Sequence, residues 1–127
     1  MPSTSVLSKD APAPIGPYSQ AIHTGDWLFC AGQGAMDPHS GDLVNESVTA
    51  ETHQTLKNLG NVLREGGFDY ADVVKTTVFL IDMNDFAEMN AVYATYFDAT
   101  KPARSTVAVK ALPRGLRVEI EAIAHKP

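Results

Sequence analysis

Hydrophobic and polar residues follow two spacings along the chain, and these predict six strands and two helices. Apolar or β-branched residues at alternate positions are typical of strands, and apolar residues three and four positions apart are typical of helices. The predicted strands lie near residues 6–8 and at residues 19–23, 27–32, 73–81, 104–111 and 116–124. The predicted helices cover residues 49–65 and a segment from a cap at Asn84 to Phe97. The predicted order is β-β-β-α-β-α-β-β.

Capping and turn residues set the boundaries of these elements. Ser47 or Thr49 can cap the first helix, and Gly66-Gly67 is typical of a helix C-terminus. A turn at residues 24–26 separates the second and third strands. Residues 11–17 contain three prolines and cannot form a central strand, so we expect an ordered loop there.

The last two strands are predicted to form a β-hairpin across the turn at residues 112–115. In that register Arg104 lies opposite Ala124, and Arg104 shares a polar face with Glu119. The two residues are then about five positions apart along the strands, or roughly 16 Å. They would not meet within one chain, so a second subunit would have to supply one of them if both act on one ligand.

Two helices of this length can cover one face of a mixed sheet, which predicts an α+β two-layer sandwich. The other face carries Arg104, Thr106, Lys110, Glu119 and Glu121 in the predicted register. It is either a solvated face of the sheet or a surface that packs against other subunits and lines clefts between them. The alternation of residues leaves both interpretations open.

Composition excludes several classes of protein. The chain has 127 residues, enough for the single domain that we expect at 1–127, and its net charge is −5. Lysines and arginines are scattered singly, which does not favour nucleic acid as a partner. No apolar run approaches the roughly 20 residues of a membrane span. One cysteine, Cys30, cannot form an internal disulfide, so we expect a cytoplasmic protein.

Arg104, in the segment Pro102-Ala103-Arg104-Ser105, is the leading candidate for anion recognition. A guanidinium group binds a carboxylate through two parallel hydrogen bonds, although a structural salt bridge is the alternative role. Glu119 and Glu121 alternate with apolar residues on the last strand. Either carboxylate could position a water molecule or transfer a proton, or could simply be surface charge.

Other candidates are weaker. Tyr18 follows a rigid loop and could cover a ligand, and Asn90 could offer its amide to one. Cys30 is interpreted as a buried small hydrophobe. The four histidines show no spacing typical of a metal site. An aromatic stripe on the second helix is interpreted as core packing; its members are Phe86, Met89, Tyr93, Tyr96 and Phe97.

Several motifs together resemble the RidA (YjgF/YER/UK) family over nearly the whole chain. They lie in the order that the family has them. The matching segments are Ala13–Ala21 (APIGPYSQA), Cys30–Gln33 (CAGQ), Val74–Phe86 (VKTTVFLIDMNDF), Pro102–Ser105 (PARS) and Val118–Ala124 (VEIEAIA).

This resemblance implies a fold, an assembly and an activity. The expected fold is chorismate-mutase-like, in a homotrimer whose sheets form a central barrel with three clefts between subunits. The implied activity is hydrolysis of reactive enamine and imine acids, such as 2-aminoacrylate or 2-iminobutyrate, to 2-keto acids and ammonia. It implies no metal and no cofactor.

The resemblance also implies roles for individual residues. Arg104 would hold the substrate carboxylate, and Glu119 of the neighbouring subunit would position or activate the attacking water. Tyr18 would line the cleft, the Gly32 backbone would lie beside the ligand, and Asn90 would lie near its far end.

Two positions depart from the family pattern. Thr106, a further candidate for substrate binding, stands where a cysteine is frequent, and Ala31 stands where many members have serine. Two other functions stay open: deamination of a larger enamine such as 2-aminomuconate, and a regulatory module that binds small carboxylates without turnover. The acidic charge does not favour a ribonuclease.

Overall fold

The structure is a computed structural model that describes residues 2–127. Its elements follow the predicted order β-β-β-α-β-α-β-β. Their bounds are β1 Thr4–Val6, β2 Ala21–Thr24, β3 Trp27–Gln33, α1 Val48–Glu65, β4 Val73–Leu80, α2 Phe86–Phe97, β5 Ala103–Ala108 and β6 Val118–His125.

The strands form one mixed six-stranded sheet in the order β1-β2-β3-β6-β4-β5. β4 and β5 are parallel, and every other neighbouring pair is antiparallel. Both helices pack on one face of this sheet, so the predicted α+β class is confirmed. Among residues 2–127, no helix is long and apolar enough to cross a membrane.

The core lies between the helices and one face of the sheet. Leu28, Val78 and Ile120 of the central strands are completely buried against Leu59 of α1 and Met89 of α2. Burial of each such side chain contributes about 1.5–3 kcal/mol, so this layer dominates the stability. Cys30, on the same face of β3, is 7% exposed, and burial raises the pKa of its thiol to about 12.

The predicted hairpin of the last two strands is wrong. β5 pairs with β4 in parallel, with Thr76 opposite Arg104, and β6 lies on the other side of β4. Arg104 is therefore not opposite Ala124. The reason is that a strand, a helix and a second strand form a crossover that places β5 parallel to β4 at the sheet edge. β6 is inserted between β3 and β4, where its apolar residues are covered.

The predicted face of Arg104 is also wrong. Thr76 is buried on the helix side of β4, and its partner Arg104 leaves β5 on that same side. Phe79 is opposite Glu119 on β6, whose side chain leaves on the face without helices. The side chains of Arg104 and Glu119 thus point to opposite faces of the sheet. Their strands lie on either side of β4, and their positions along the sheet differ by three residues. Their Cα atoms are therefore about 14 Å apart.

The face without helices, here called the open face, is less polar than predicted. It carries Glu119 and Glu121 but also three large apolar side chains, Trp27, Phe29 and Val107, each 42–44% exposed. Trp27 and Phe29 stack with ring centroids 6.4 Å apart. This apolar surface is the feature that a packing partner would cover.

Candidate active site

Arg104 lies in a cavity of about 370 Å³ between the C-terminal half of α2 and the start of β5. Pro102 restricts the backbone just before β5, and the parallel ladder to β4 fixes the direction of the Arg104 side chain. This arginine cavity is lined by Asn90, Tyr93, Ala94, Phe97, Asp98, Lys101, Pro102 and Arg104. The structure thus brings together two predicted site residues, Arg104 and Asn90.

The Arg104 guanidinium is held by uncharged groups. Its Nη1 donates a hydrogen bond to Asn90 Oδ1 at 2.7 Å. Its Cζ lies 4.7 Å from the ring centroid of Tyr93 and 5.4 Å from that of Phe86. Among residues 2–127 no carboxylate forms an ion pair with Arg104. Its charge is therefore available to an anion, and the salt-bridge alternative is not observed within these residues.

Thr106 lies two residues beyond Arg104 on the same side of β5. The residue is half-buried, and its Oγ1 is a buried atom with no hydrogen-bond partner within residues 2–127. A buried hydroxyl without a partner costs about 1–3 kcal/mol. Thr106 is not among the residues that line the arginine cavity, so its binding role stays a prediction.

Tyr18, Gly32 and Glu119 line a second, smaller cavity of about 110 Å³. We call it the glutamate cavity. Gln20 supports one wall of it: this buried side chain accepts from Ser8 N at 2.6 Å and donates to Pro12 O at 2.9 Å. The Pro-rich loop that leads to Tyr18 is therefore ordered, as predicted, and Tyr18 itself is 54% exposed.

The Glu119 carboxyl group is half-buried, and its pKa is raised by this burial and secondly by the charge of Glu121. Gly32 lies directly beside it, with no room for a side chain between the two residues. A carboxylate whose pKa is raised is a stronger proton acceptor, and it can return the proton that it takes. Glu121 is more exposed, which favours Glu119 as the working carboxylate.

No residue lines both cavities, so the predicted site residues fall into two groups within one chain. Arg104 and Asn90 line one cavity, and Tyr18, Gly32 and Glu119 line the other. Thr106 lines neither and lies two residues beyond Arg104 on β5. Within residues 2–127, no group of three or more His, Cys, Asp and Glu side chains is arranged to hold a metal ion.

The family model described as endoribonuclease L-PSP matches residues 8–126. The chain belongs to this family, also known as the YjgF or RidA family. The resemblance of the sequence motifs is thereby confirmed.

Relatives in the RidA family match almost the entire chain. A mouse protein named 2-iminobutanoate/2-iminopropanoate deaminase is 55% identical over 119 residues, which are 94% of this chain and 88% of the mouse protein. The structure of a putative endoribonuclease from Thermotoga maritima is 47% identical, with a TM-score of 0.96 over 98% of each chain. The structure of Escherichia coli TdcF with bound serine is 36% identical, with a TM-score of 0.93 over 98% of this chain and 99% of TdcF.

Sequence reasoning missed the groups that support the predicted site residues. Tyr93 and Phe86 were assigned only to the core, yet both contact the Arg104 guanidinium. Their positions relative to Asn90 were the available signal, because residues three and four apart share one face of a helix. Gln20 gave no such signal, since its role depends on how the loop folds back onto it.

Proposed function

We propose that the protein is a deaminase that hydrolyses 2-imino acids and their enamine tautomers to 2-keto acids and ammonia. Suitable substrates are 2-iminobutanoate and 2-iminopropanoate, the compounds in the mouse relative's name. The observation that carries the proposal is an Arg104 guanidinium, without a carboxylate partner among residues 2–127, that lines a cavity of substrate size. A cytoplasmic location belongs to this proposal, because the single cysteine is a free thiol.

The proposed assembly is a homotrimer in which the open faces pack against one another. Exposed Trp27, Phe29 and Val107 support it, because apolar side chains on a sheet gain free energy when a partner covers them. Arg104 leaves the edge strand β5 on the helix side, so we place its cavity at the rim of this packing, where the glutamate cavity of the neighbouring subunit would lie against it. The separation of Arg104 from Glu119 within one chain supports this arrangement.

Substrate binding is assigned to the arginine cavity. The guanidinium edge that Asn90 leaves free would bind the α-carboxylate by donating two parallel hydrogen bonds to it. The unpartnered hydroxyl of Thr106 would contact the same end of the substrate. Serine, which is bound in the TdcF structure, carries an α-carboxylate of this kind.

Glu119 is assigned the proton transfers. An enamine such as 2-aminoacrylate first takes a proton from water at C3 and becomes the iminium ion. Water then adds to C2 while the Glu119 carboxylate takes one of its protons, which forms a neutral carbinolamine. Glu119 returns that proton to the nitrogen. As the C–N bond breaks, the Glu119 carboxylate takes the proton of the C2 hydroxyl, and ammonia and the keto acid leave. The raised pKa of Glu119 supports both directions of transfer.

The remaining residues would hold the reactants in place. Tyr18 would cover the cleft, and Gly32 would allow the substrate and the Glu119 carboxyl to approach the backbone closely. Because imines are intrinsically reactive toward water, positioning and proton transfer suffice for this chemistry. No metal or cofactor is part of the proposal.

The test generates 2-aminoacrylate or 2-iminobutanoate in situ with a dehydratase and measures release of the keto acid. We expect acceleration by the wild-type protein and a loss of most of it in Arg104→Lys, because an ammonium group cannot form the two parallel hydrogen bonds. No acceleration on either substrate would overturn the proposal. Acceleration only on 2-aminomuconate would favour a catabolic deaminase, and carboxylate binding without turnover would favour a regulatory module.

A further inference from the structure

Arg104, Tyr93 and Thr76 form a closed set of contacts beneath the arginine cavity. Thr76 lies opposite Arg104 in the parallel ladder of β4 and β5 and is completely buried. Its Oγ1 lies 2.7 Å from the hydroxyl of Tyr93, and the Tyr93 ring lies 4.7 Å from Arg104 Cζ. Through Thr76, strand β4 thus anchors the Tyr93 ring that contacts the Arg104 guanidinium.

The hydroxyl of Tyr93 is directed to Thr76 and not to solvent. Tyr93 is only 6% exposed. Thr76 is completely buried on β4, between β6 and β5, so water cannot take its place as the partner of the Tyr93 hydroxyl. Burial raises the pKa of Tyr93, so the hydroxyl keeps its proton at neutral pH. A phenylalanine would fill the same space on α2, so packing alone does not account for the hydroxyl group.

Positioning of an arginine has a direct consequence for affinity. A free arginine side chain samples many rotamers and loses that freedom when it binds a carboxylate. Contacts with the Tyr93 ring and with Asn90 restrict Arg104 before a ligand arrives. The bond to Asn90 uses Nη1, which leaves Nε and Nη2 together for a carboxylate.

We infer that Tyr93, anchored by Thr76, is a positioning residue that holds the Arg104 guanidinium ready for the substrate carboxylate. The inference rests on the proposed function for its kinetic consequence, but its effect on carboxylate binding can be measured without turnover. Uniform loss of binding raises KM and leaves kcat unchanged.

The experiment compares Tyr93→Phe and Thr76→Val with Thr76→Ser and with the double variant of Tyr93→Phe and Thr76→Val. Tyr96→Phe is the matched control, because it also removes a tyrosine hydroxyl from α2. That hydroxyl lies 3.1 Å from His53 Nδ1 and does not contact Thr76. Two readouts are taken: kcat and KM for 2-iminobutanoate, and Kd for the stable product 2-oxobutanoate by calorimetry. Thermal unfolding of each variant reports its stability.

For Tyr93→Phe and Thr76→Val we expect KM and Kd to rise about fivefold, the factor that one net hydrogen bond represents, with kcat within about twofold. Thr76→Ser and Tyr96→Phe should match the wild type. The double variant should recover thermal stability, because no buried hydroxyl is left without its partner, while its KM and Kd stay raised.

Two results would overturn the inference. One is a KM and Kd within about twofold of the wild type in both single variants. The other is a double variant whose KM and Kd recover together with its stability, which would make the pair merely structural. A wild-type protein that binds 2-oxobutanoate but does not deaminate would contradict only the proposed function. One that neither binds nor deaminates would contradict both.

Discussion

The carboxyl group of Glu119 lies against the backbone of Gly32, where a Cβ atom would be 2.8 Å from the Glu119 Cδ. Gly32→Ala should therefore displace this carboxyl and lower kcat by about 100-fold, as misplacement of a catalytic group by 1 Å commonly does. The measurement is kcat for 2-iminobutanoate. Gly25→Ala is the control: its φ of +56° makes alanine strained, but nothing lies within 4 Å, so stability falls and kcat does not. An unchanged kcat in Gly32→Ala would contradict the role of Glu119.

The pH dependence of the reaction should report the environment of Glu119. In the proposed mechanism the carboxylate form of Glu119 takes the water proton, so kcat/KM should fall as the pH falls through its raised pKa. Glu121→Gln removes the second cause of that rise, after burial, and should move the fall to lower pH. Glu65→Gln, an exposed change at the end of α1, should not move it. A profile that is identical in Glu121→Gln would show that another group titrates.

Mixed trimers should test whether Arg104 and Glu119 come from different subunits. Arg104→Lys and Glu119→Gln should each be nearly inactive. If the proposed homotrimer forms, one of the three interfaces in a trimer that contains both variants again combines Arg104 with Glu119. Co-expressed and doubly tagged trimers should then regain about one third of the wild-type rate. A site within one chain would regain nothing, because every chain lacks one of the two groups.

If the open face is the trimer interface, a charged side chain introduced there would be buried on assembly and should prevent it. Phe29→Lys would place an ammonium group in that interface, so we expect a monomer in sedimentation and loss of deamination. Met83→Lys changes a side chain that is equally exposed, at 45%, but lies outside the sheet, and it should leave assembly intact. An active Phe29→Lys monomer would exclude the intersubunit site.

An ion pair with one completely buried partner lies at the start of β6, two residues before Glu119. Glu51 is completely buried, and its carboxylate accepts from Arg117 Nε at 2.6 Å and from the Arg117 backbone N–H at 2.8 Å. Arg117→Met leaves this carboxylate without its charged partner and should cost about 3–5 kcal/mol in urea unfolding. Asp10→Asn, which removes an exposed pair with His39, should cost less than about 1 kcal/mol.

The sequence predicted the elements well but not the partners of the last two strands. Local spacing is enough to define β5 and β6, yet pairing is decided by which strand can be covered on both faces. Val118 and Ile120 of β6 are completely buried, whereas β5 has no fully buried residue. The strand-helix-strand order from β4 to β5 was the overlooked signal, because it favours a parallel crossover.

The candidate site was predicted as a set of residues, and its geometry was not. The family resemblance implied roles for Arg104, Asn90, Tyr18, Gly32 and Glu119, and Thr106 was a candidate at a position that departs from the family pattern. The prediction that Arg104 and Glu119 do not meet within one chain agrees with the structure, but for a different reason. They leave opposite faces of the sheet instead of lying apart on one face.

The burial of Cys30 makes its thiol unreactive toward thiol reagents. It is the only cysteine of the chain, and with a pKa of about 12 it carries almost no thiolate at neutral pH. A maleimide dye should therefore react only with a cysteine that is introduced on purpose. Asp98 lies at the rim of the arginine cavity. A dye on Asp98→Cys would report carboxylate binding, and Cys30 would not have to be replaced first.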